Sequence, residues 1–306
     1  MRIRLQPWAF FVLLAAIVAF IAFSIERYRH GSVLSDADMV AFLPQTNATT
    51  FFIDIAAMRQ ARALNLLTAS APAEENDYRE FIQETGFDYT KDADAIAGAA
   101  ANGQIFFLMR GRFDWRKLAG YTTRHGGFCR SSYCRLPTTR PGRWASFRTN
   151  HSGVIALAVS TNPEAVLSLA PANPNHQKPI PTDPVWVKPA HSLLSDPSSL
   201  PLPARLLAIS LQFSDRVTLS LGRGGSNTAP FEVKLQARYP TAPMARTTCT
   251  QLEIDTRMLK LELARERQQP NPADLTGLLA SGEFQVKGNE VLGAWPIRQE
   301  LLNSLQ

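Results

Sequence analysis

The first feature of the chain is a long apolar run near its start. Leu5 to Ile25 spans 21 residues without a charged side chain. As an α-helix this run would be about 31 Å long, which matches the hydrocarbon thickness of a bilayer. A buried helix of a soluble domain would carry a polar stripe, and this run has none. The pattern therefore predicts a transmembrane helix over residues 5–25.

Charged and aromatic residues flank the apolar run, as expected at the two membrane interfaces. They are Arg2, Arg4 and Trp8 on one side, and Arg27, Tyr28 and Arg29 on the other. An uncleaved anchor is favoured over a removed signal peptide, because Ala22-Phe23-Ser24 matches a cleavage site poorly. The short positive leader, residues 1–4, predicts a cytoplasmic amino terminus. The bulk of the chain would then lie outside the inner membrane.

Beyond a juxtamembrane linker over residues 26–49, short strand-like runs alternate with amphipathic helices. The Asn102-Gly103 pair between two apolar runs is typical of a hairpin turn. The predicted strands are 50–55, 93–101, 104–110, 144–149, 153–160, 206–213, 216–221, 231–239, 284–287 and 291–295. The predicted helices are 56–69, 78–85, 114–124, a helix capped near Thr161 or Asn162, 245–268 and a last one from Pro296. This rhythm predicts an α+β fold with antiparallel hairpins and packed helices.

Residues 171–203 hold nine of the 21 prolines. Such a run is poorly suited to a regular helix or a central strand, so a connector or covering segment is expected. The apolar patch Pro184-Val185-Trp186-Val187 is expected to pack on a domain. We therefore predict two α+β lobes, residues 50–170 and 204–306, joined by a Pro-rich connector.

The chain has a formal net charge of +6 and a pI near 9.4, but half of that charge belongs to residues 1–30. The remaining basic residues include an arginine cluster interleaved with Tyr133, Trp144 and Phe147. The cluster comprises Arg124, Arg130, Arg135, Arg140, Arg143 and Arg148. It could suit an anionic surface, but a solvated hairpin is favoured because no nucleic-acid-binding motif accompanies it. No nucleic-acid partner is expected.

Three cysteines are present, and two of them enclose a short turn. In an exported domain, Cys129 and Cys134 most simply form a local disulfide. A metal site with His125 is the rival hypothesis, although a closed zinc site needs four ligands and only three are local. A pair of free thiols is the third alternative. Cys249 lies on a helical stripe and is expected to be a buried small hydrophobe.

A search for catalytic motifs is mostly negative. Neither the zinc-protease, serine-hydrolase, phosphate-loop nor dinucleotide-binding pattern occurs, and the run from Gly222 to Ser226 is interpreted as a hairpin turn. A calcium site could use three closely spaced aspartates, Asp88, Asp92 and Asp94. However, the glycine and glutamate of a calcium-binding loop are missing. Asp114 is instead expected to cap a helix, and Asp88 to close an Asx turn. No catalytic residue, cofactor or metal is assigned.

Several short motifs of this chain resemble motifs in a loose set of exported or membrane-anchored bacterial proteins of acidobacterial type. The motifs are Leu43-Pro44 before TFFIDI, Thr85-Gly86-Phe87-Asp88, Gly111-Arg112-Phe113-Asp114, Gly153-Val154-Ile155-Ala156-Leu157, Pro270 to Leu275, and Gly293-Ala294-Trp295-Pro296. The resemblance covers most of the chain. It implies no activity, cofactor or catalytic residue.

Two classes of function remain. The first is an anchored extracytoplasmic binding or scaffold domain in the cell envelope, with the bilayer as a partner through residues 5–25 and a further envelope protein or ligand unidentified. The second is an envelope enzyme of hydrolase type, whose site the sequence does not reveal. A pocket joining His125, Asp88 and the arginine cluster would favour the enzyme, whereas a sheet face with scattered charges would favour binding. Oligomeric state stays open.

Overall fold

The computed structural model describes residues 34–64, 66, 75–151, 153–170, 179–226, 229–265 and 275–297. Its strands are β1 (Thr49–Asp54), β2 (Ala93–Ala101), β3 (Gln104–Gly111), β4 (Phe128–Arg130), β5 (Tyr133–Pro137), β6 (Trp144–His151), β7 (Val154–Ser160), β8 (Val185–Lys188), β9 (Arg216–Ser226), β10 (Ala229–Arg238), β11 (Glu283–Lys287) and β12 (Glu290–Ile297). They form a 12-stranded antiparallel sheet in the order β11-β12-β10-β9-β8-β1-β2-β3-β7-β6-β5-β4. The predicted combination of helices with antiparallel hairpins is confirmed.

Helices cover parts of both faces of this sheet. They are α1 (Asp36–Ala41), α2 (Ile55–Gln60), α3 (Glu75–Thr85), α4 (Tyr89–Asp92), α5 (Trp115–Arg124), α6 (His191–Ser195), α7 (Leu202–Leu211), α8 (Ala242–Arg265) and α9 (Leu275–Ala280). Two 3₁₀ turns lie at Ala165–Ser168 and Pro197–Ser199. Helix α1 and the first 3₁₀ turn pack on one face of β2, β3 and β7, while α3 and α5 pack on the other.

The elements with strong local signals form where predicted. The β2–β3 hairpin turns at Asn102 and Gly103, whose φ angles of 51° and 72° lie in the left-handed region that this turn requires. Asp114 caps α5 by accepting hydrogen bonds from the backbone N–H groups of Arg116 and Lys117. The cap satisfies donors that the first helical turn leaves without partners.

Two predictions about the middle of the chain are wrong. The Pro-rich connector contributes β8, a central strand paired with β1 on one side and β9 on the other. Pro184 and Pro189 flank this four-residue strand instead of interrupting it, so every ladder N–H is kept. Residues 206–213, predicted as a strand, belong largely to α7. This helix starts after Pro201, where the fixed φ of proline suits the helix start.

One prediction about a glycine-rich run and one about a proline are also wrong. The run from Gly222 to Ser226 continues β9 and is not the predicted hairpin turn. Pro296 lies in β12 and does not start a helix. It faces Glu232 of β10, and it lies beyond the residues of β12 that pair with β11. A proline there interrupts no ladder on that side.

The predicted membrane segment, residues 5–25, lies outside the described residues. The same holds for its interface residues, Arg2, Arg4, Trp8, Arg27, Tyr28 and Arg29, and for the predicted helix beyond residue 297. Within the part of the chain that the structure describes, no helix combines the length and apolar character that a membrane span requires.

The two halves of the sheet have their own cores and share a third. A first cluster centres on Phe52, Leu108 and Trp186, and a second on Leu235, Leu252 and other residues of β9, β10 and α8. A third cluster joins Met58 and Ala63 from the first half to Leu221 and Ile297 from the second. The predicted lobes are therefore connected by both the sheet and the core.

Candidate functional site

One face of the second half of the sheet carries polar side chains at alternate positions. They are Glu232, Lys234, Gln236 and Arg238 of β10, and Arg216, Thr218 and Ser220 of β9. Successive side chains of a strand point to opposite faces, so these residues share one face. Leu235 and Ala237 point the other way and pack in the core with α7 and α8. On the polar face, Gln236 and Arg238 are exposed.

Two neighbouring cavities of about 550 and 210 Å³ lie on this polar face, and a third of about 560 Å³ extends from the second toward α1 of the first half. The first and second share Pro181, Thr218 and Gln236 in their linings. The second and third share Pro179, Ile180, Lys188 and Arg216. The first two therefore form one continuous depression, which we call the polar trough, and the third adjoins its far end at Lys188 and Arg216.

The two ends of the polar trough have opposite charge. The acidic end is lined by Asp183, Glu232, Glu283 and Lys234, a formal charge of 1 − 3 = −2. The basic end is lined by Lys188, Arg216, Arg238 and Glu290, a formal charge of 3 − 1 = +2. Neutral polar groups, Thr218 and Gln236, lie between the two ends. This separation of charge along one depression is the main electrostatic feature of the face.

A hydrogen-bonded network organises the acidic end. Ser220 Oγ donates to Asp183 Oδ2 over 2.6 Å, and Lys234 Nζ lies 3.3 Å from Asp183 Oδ1 and 3.7 Å from Glu232 Oε1. Gly222 makes room for this network, because a Cβ there would lie 2.6 Å from Lys234 Nζ and would collide with the Asp183 carboxylate. One ammonium group is thus shared by two carboxylates, which leaves the end negative.

The basic end contains two arginines and a single carboxylate. Arg216 and Arg238 are direct cross-strand partners, and both are exposed. On its other side, Arg238 is paired with Glu290 of β12. Like charges directly opposite each other on a sheet are destabilising by a few tenths of a kcal/mol or more. Nearby, the Lys188 ammonium lies 4.8 Å from the Trp186 ring centroid, and Gln236 Nε2 donates to Glu290.

The predicted disulfide is present in the structure. Cys129 and Cys134 are paired across β4 and β5 with their Cα atoms 4.1 Å apart. His125, the third ligand of the rival metal hypothesis, is instead near Glu84 and against the Tyr121 ring, 4.1 Å between centroids. Cys249 is a free, buried thiol, and burial raises its pKa.

His125 does approach two carboxylates. Ligand atoms of Glu80, Glu84 and His125 lie within 4.8 Å of one another. However, Glu84 Oε2 already accepts hydrogen bonds from Arg124, which are the main cause of its lowered pKa. An arginine bound to the central carboxylate opposes cation binding, so we assign no metal to this group.

Two of the three aspartates considered as calcium ligands, Asp88 and Asp92, serve local turns, and Asp94 lies in β2. Asp88 Oδ1 accepts hydrogen bonds from the Thr90 backbone N–H and hydroxyl, which confirms the predicted Asx turn and also caps α4. Asp92 accepts from the Asp88 backbone N–H and pairs with Arg112. Burial favours a higher pKa for Asp88, but the bonds from Thr90, Lys91 and Tyr78 outweigh it and lower the pKa to about 2.

The arginine cluster is distributed around the β4–β7 hairpins. Arg124 pairs with Glu84, and Arg135 lies 5.7 Å from the ring centroids of both Phe128 and Trp144. Arg143 donates to the Gly103 carbonyl and Arg148 to the Leu169 carbonyl. These contacts are local and structural, as in the solvated-hairpin interpretation. Asp88 and His125 belong to separate hydrogen-bond networks.

Sequence reasoning missed the polar trough. The alternation of polar residues along β9 and β10 was a usable signal, since period-two polarity marks a sheet face that no helix fully buries. Asp183 carried no such signal. It precedes β8 in the Pro-rich segment, and only the central position of β8 brings it beside Ser220 and Lys234.

Comparisons with known proteins define no family for this chain. No protein-family model matches it, and no curated protein matches it. Two solved structures of TP0453 are similar in part. Crystal form I has a TM-score of 0.45 at 13% identity, and crystal form IV has 0.44 at 12%. Each match covers 90% of this chain and 98% of the other. At these scores the likeness carries no functional inference.

Proposed function

We propose that the protein is a single-span membrane protein whose extracytoplasmic domain binds an envelope ligand or protein in the polar trough. The architecture is an amino-terminal transmembrane helix over residues 5–25 followed by two connected α+β lobes. The polar trough is the observation that supports a binding role, because a concave face with fixed polar and charged groups is typical of ligand sites. A scaffold role would use the same face.

The alternative, an envelope enzyme, has less support. The groups that would have favoured it, His125 and Asp88, lie in separate networks and serve as partners of Glu84 and of Thr90 and Lys91. The polar trough is instead a sheet face with an acidic and a basic end, which favours a binding domain. Function depends on the site and not on the fold, so a decisive experiment must probe the polar trough itself.

Membrane topology can be tested through the disulfide. In intact cells, an impermeant thiol reagent should label Cys129, the partly exposed member of the pair, only after an impermeant reductant is added, and the chain should fractionate with membranes. Free thiols that react only after lysis would place the domain on the cytoplasmic side. Recovery of the full-length chain in the soluble fraction would contradict the anchor.

Binding in the polar trough can be tested by site-specific photocrosslinking in cells. A photoreactive residue at Gln236, on the exposed floor of the polar trough, should form a defined adduct. The same residue at Arg257, exposed on α8 on the other side of the sheet, is the matched control. Adducts at Gln236 alone support the proposal. Equal labelling at both positions, or none at either, would overturn it.

A further inference from the structure

We propose that the ligand of the polar trough is an extended peptide segment of about six residues with a basic group at one end and an acidic group at the other. This inference rests on the proposed binding function and adds the chemical class of the ligand. It follows from the length, the charge and the lining of the depression.

The length of the polar trough suits a short extended chain. Glu232 at the acidic end and Arg238 at the basic end are six residues apart on the same strand. At about 3.3 Å per residue this is about 20 Å, which an extended peptide of about six residues spans. The depression runs along the strands, so a peptide would lie parallel or antiparallel to β10.

The charge distribution selects the two ends of the ligand. Asp183 and Glu232 share one ammonium group, Lys234, and Glu283 adds a third carboxylate, so the acidic end still attracts a cation. Arg216 and Arg238 face each other across β9 and β10, Glu290 of β12 offsets only one of these charges, and an anion beside the pair would relieve the remaining repulsion. A guanidinium pair suits a carboxylate because it offers several donors in a fixed geometry.

The lining between the ends favours a peptide over other polymers. Thr218 and Gln236, between the ends, offer neutral donors and acceptors for peptide amides, while Gln285, Leu292 and Ala294 add an amide and apolar contacts within the acidic cavity. A lipid chain would need a continuous apolar lining, and a nucleic acid would be repelled by the acidic end. The mixed lining therefore matches a backbone with side chains of alternating character.

The test uses fluorescence polarisation of labelled hexapeptides with the purified chain in detergent. A library with Lys or Arg at one end and Asp or Glu at the other is compared with doubly basic and doubly acidic libraries. We expect at least ten-fold tighter binding of the oppositely charged peptides, and weakening by added salt. Equal affinity of the three libraries would overturn the peptide proposal.

Charge reversal then locates the interaction. Glu232→Lys should lose affinity for the basic end of the peptide, and Arg238→Glu for its acidic end, each by at least ten-fold. The combined variant should bind the peptide with reversed polarity. Glu253→Lys and Arg257→Glu, exposed on α8, are the matched controls and should change nothing. Gln236→Trp, which fills the polar trough at an exposed position, provides a blocking variant that does not disturb the core.

The outcomes separate this inference from the function on which it rests. If Gln236 forms adducts in cells but no peptide binds, the proposed binding site would stand and the proposed peptide ligand would be overturned. Absence of both would overturn the site itself. An adduct with a second copy of this chain would also contradict the peptide proposal, since the occupant would then be a folded surface.

Discussion

Asp88 illustrates how a single side chain stabilises a local turn. Its carboxylate accepts from the Thr90 backbone N–H at 3.0 Å and the Thr90 hydroxyl at 2.6 Å, pairs with Lys91 at 2.9 Å, and accepts from Tyr78 Oη at 3.2 Å. These interactions favour the ionised form. Burial opposes them but is outweighed, and the pKa falls to about 2 from an ordinary 3.8.

The lowered pKa predicts a defined pH dependence of stability. A carboxylate with a depressed pKa in the folded state stabilises the fold above pH 3.8 and loses that contribution as pH falls toward 2. We expect Asp88→Asn to be about 1 kcal/mol less stable than wild type at pH 6, because solvent screens part of the effect. The difference should shrink as pH falls below 3.8 and be mostly lost near pH 2 in urea unfolding measured across this range. A difference that stays constant with pH would contradict the assignment to the ionised carboxylate.

At the scale of elements, the disulfide holds the outermost hairpin. Strand β4 has only three residues and lies at the edge of the sheet, and Cys134 is completely buried while Cys129 packs against α5. Closing a loop this short restricts the unfolded chain and contributes about 2 kcal/mol. The Cys129→Ala/Cys134→Ala variant should lose that amount in urea unfolding. Reduction of the wild type should cause the same loss, and a stable fold unaffected by both would contradict this role.

Strand β8 has the same importance for the middle of the sheet. Trp186 is 1% exposed and stacks on Phe52, with ring centroids 6.0 Å apart. We expect Trp186→Ala to destabilise the fold by about 3–5 kcal/mol, because a large buried side chain leaves a cavity. Phe213→Ala, at a position 66% exposed, is the control and should cost under about 0.5 kcal/mol. Chemical unfolding measures both, and similar losses for the two variants would contradict the central position of β8.

The elements show why some predictions succeeded and others failed. The β2–β3 hairpin and the Asp114 cap depend on neighbours within a few residues, such as Asn102 and Gly103, so their signals lie in the sequence itself. Strand β8 depends on β1 and β9, which are more than 25 residues away on either side. Its four residues between Pro184 and Pro189 carry too little pattern to show that pairing. The acidic end of the polar trough could not be predicted for the same reason, because the long-range pairing of β8 is what brings Asp183 beside Lys234.

At the scale of the whole molecule, the sheet and the shared core join the two predicted lobes. The β8 strand bonds to both halves, and Met58 from the first half packs in one cluster with Leu221 and Ile297 from the second. Neither half can bury this cluster alone. The prolines predict a lobe boundary near residue 171. This boundary would therefore divide the sequence, but it would not separate two independently stable folding units.

This connection predicts that both halves unfold in one cooperative transition. In differential scanning calorimetry of a chain lacking the predicted membrane segment, the calorimetric and van't Hoff enthalpies should agree. The fragment 204–306 should remain unfolded by near-UV circular dichroism, because it lacks β8 and exposes Leu221 and Ile297. Trp186→Ala should lower the midpoint of this single transition without dividing it. Two transitions in the wild type would instead establish independent lobes, and the polar trough, which includes residues 179–183 from the connector, would then belong to a movable junction.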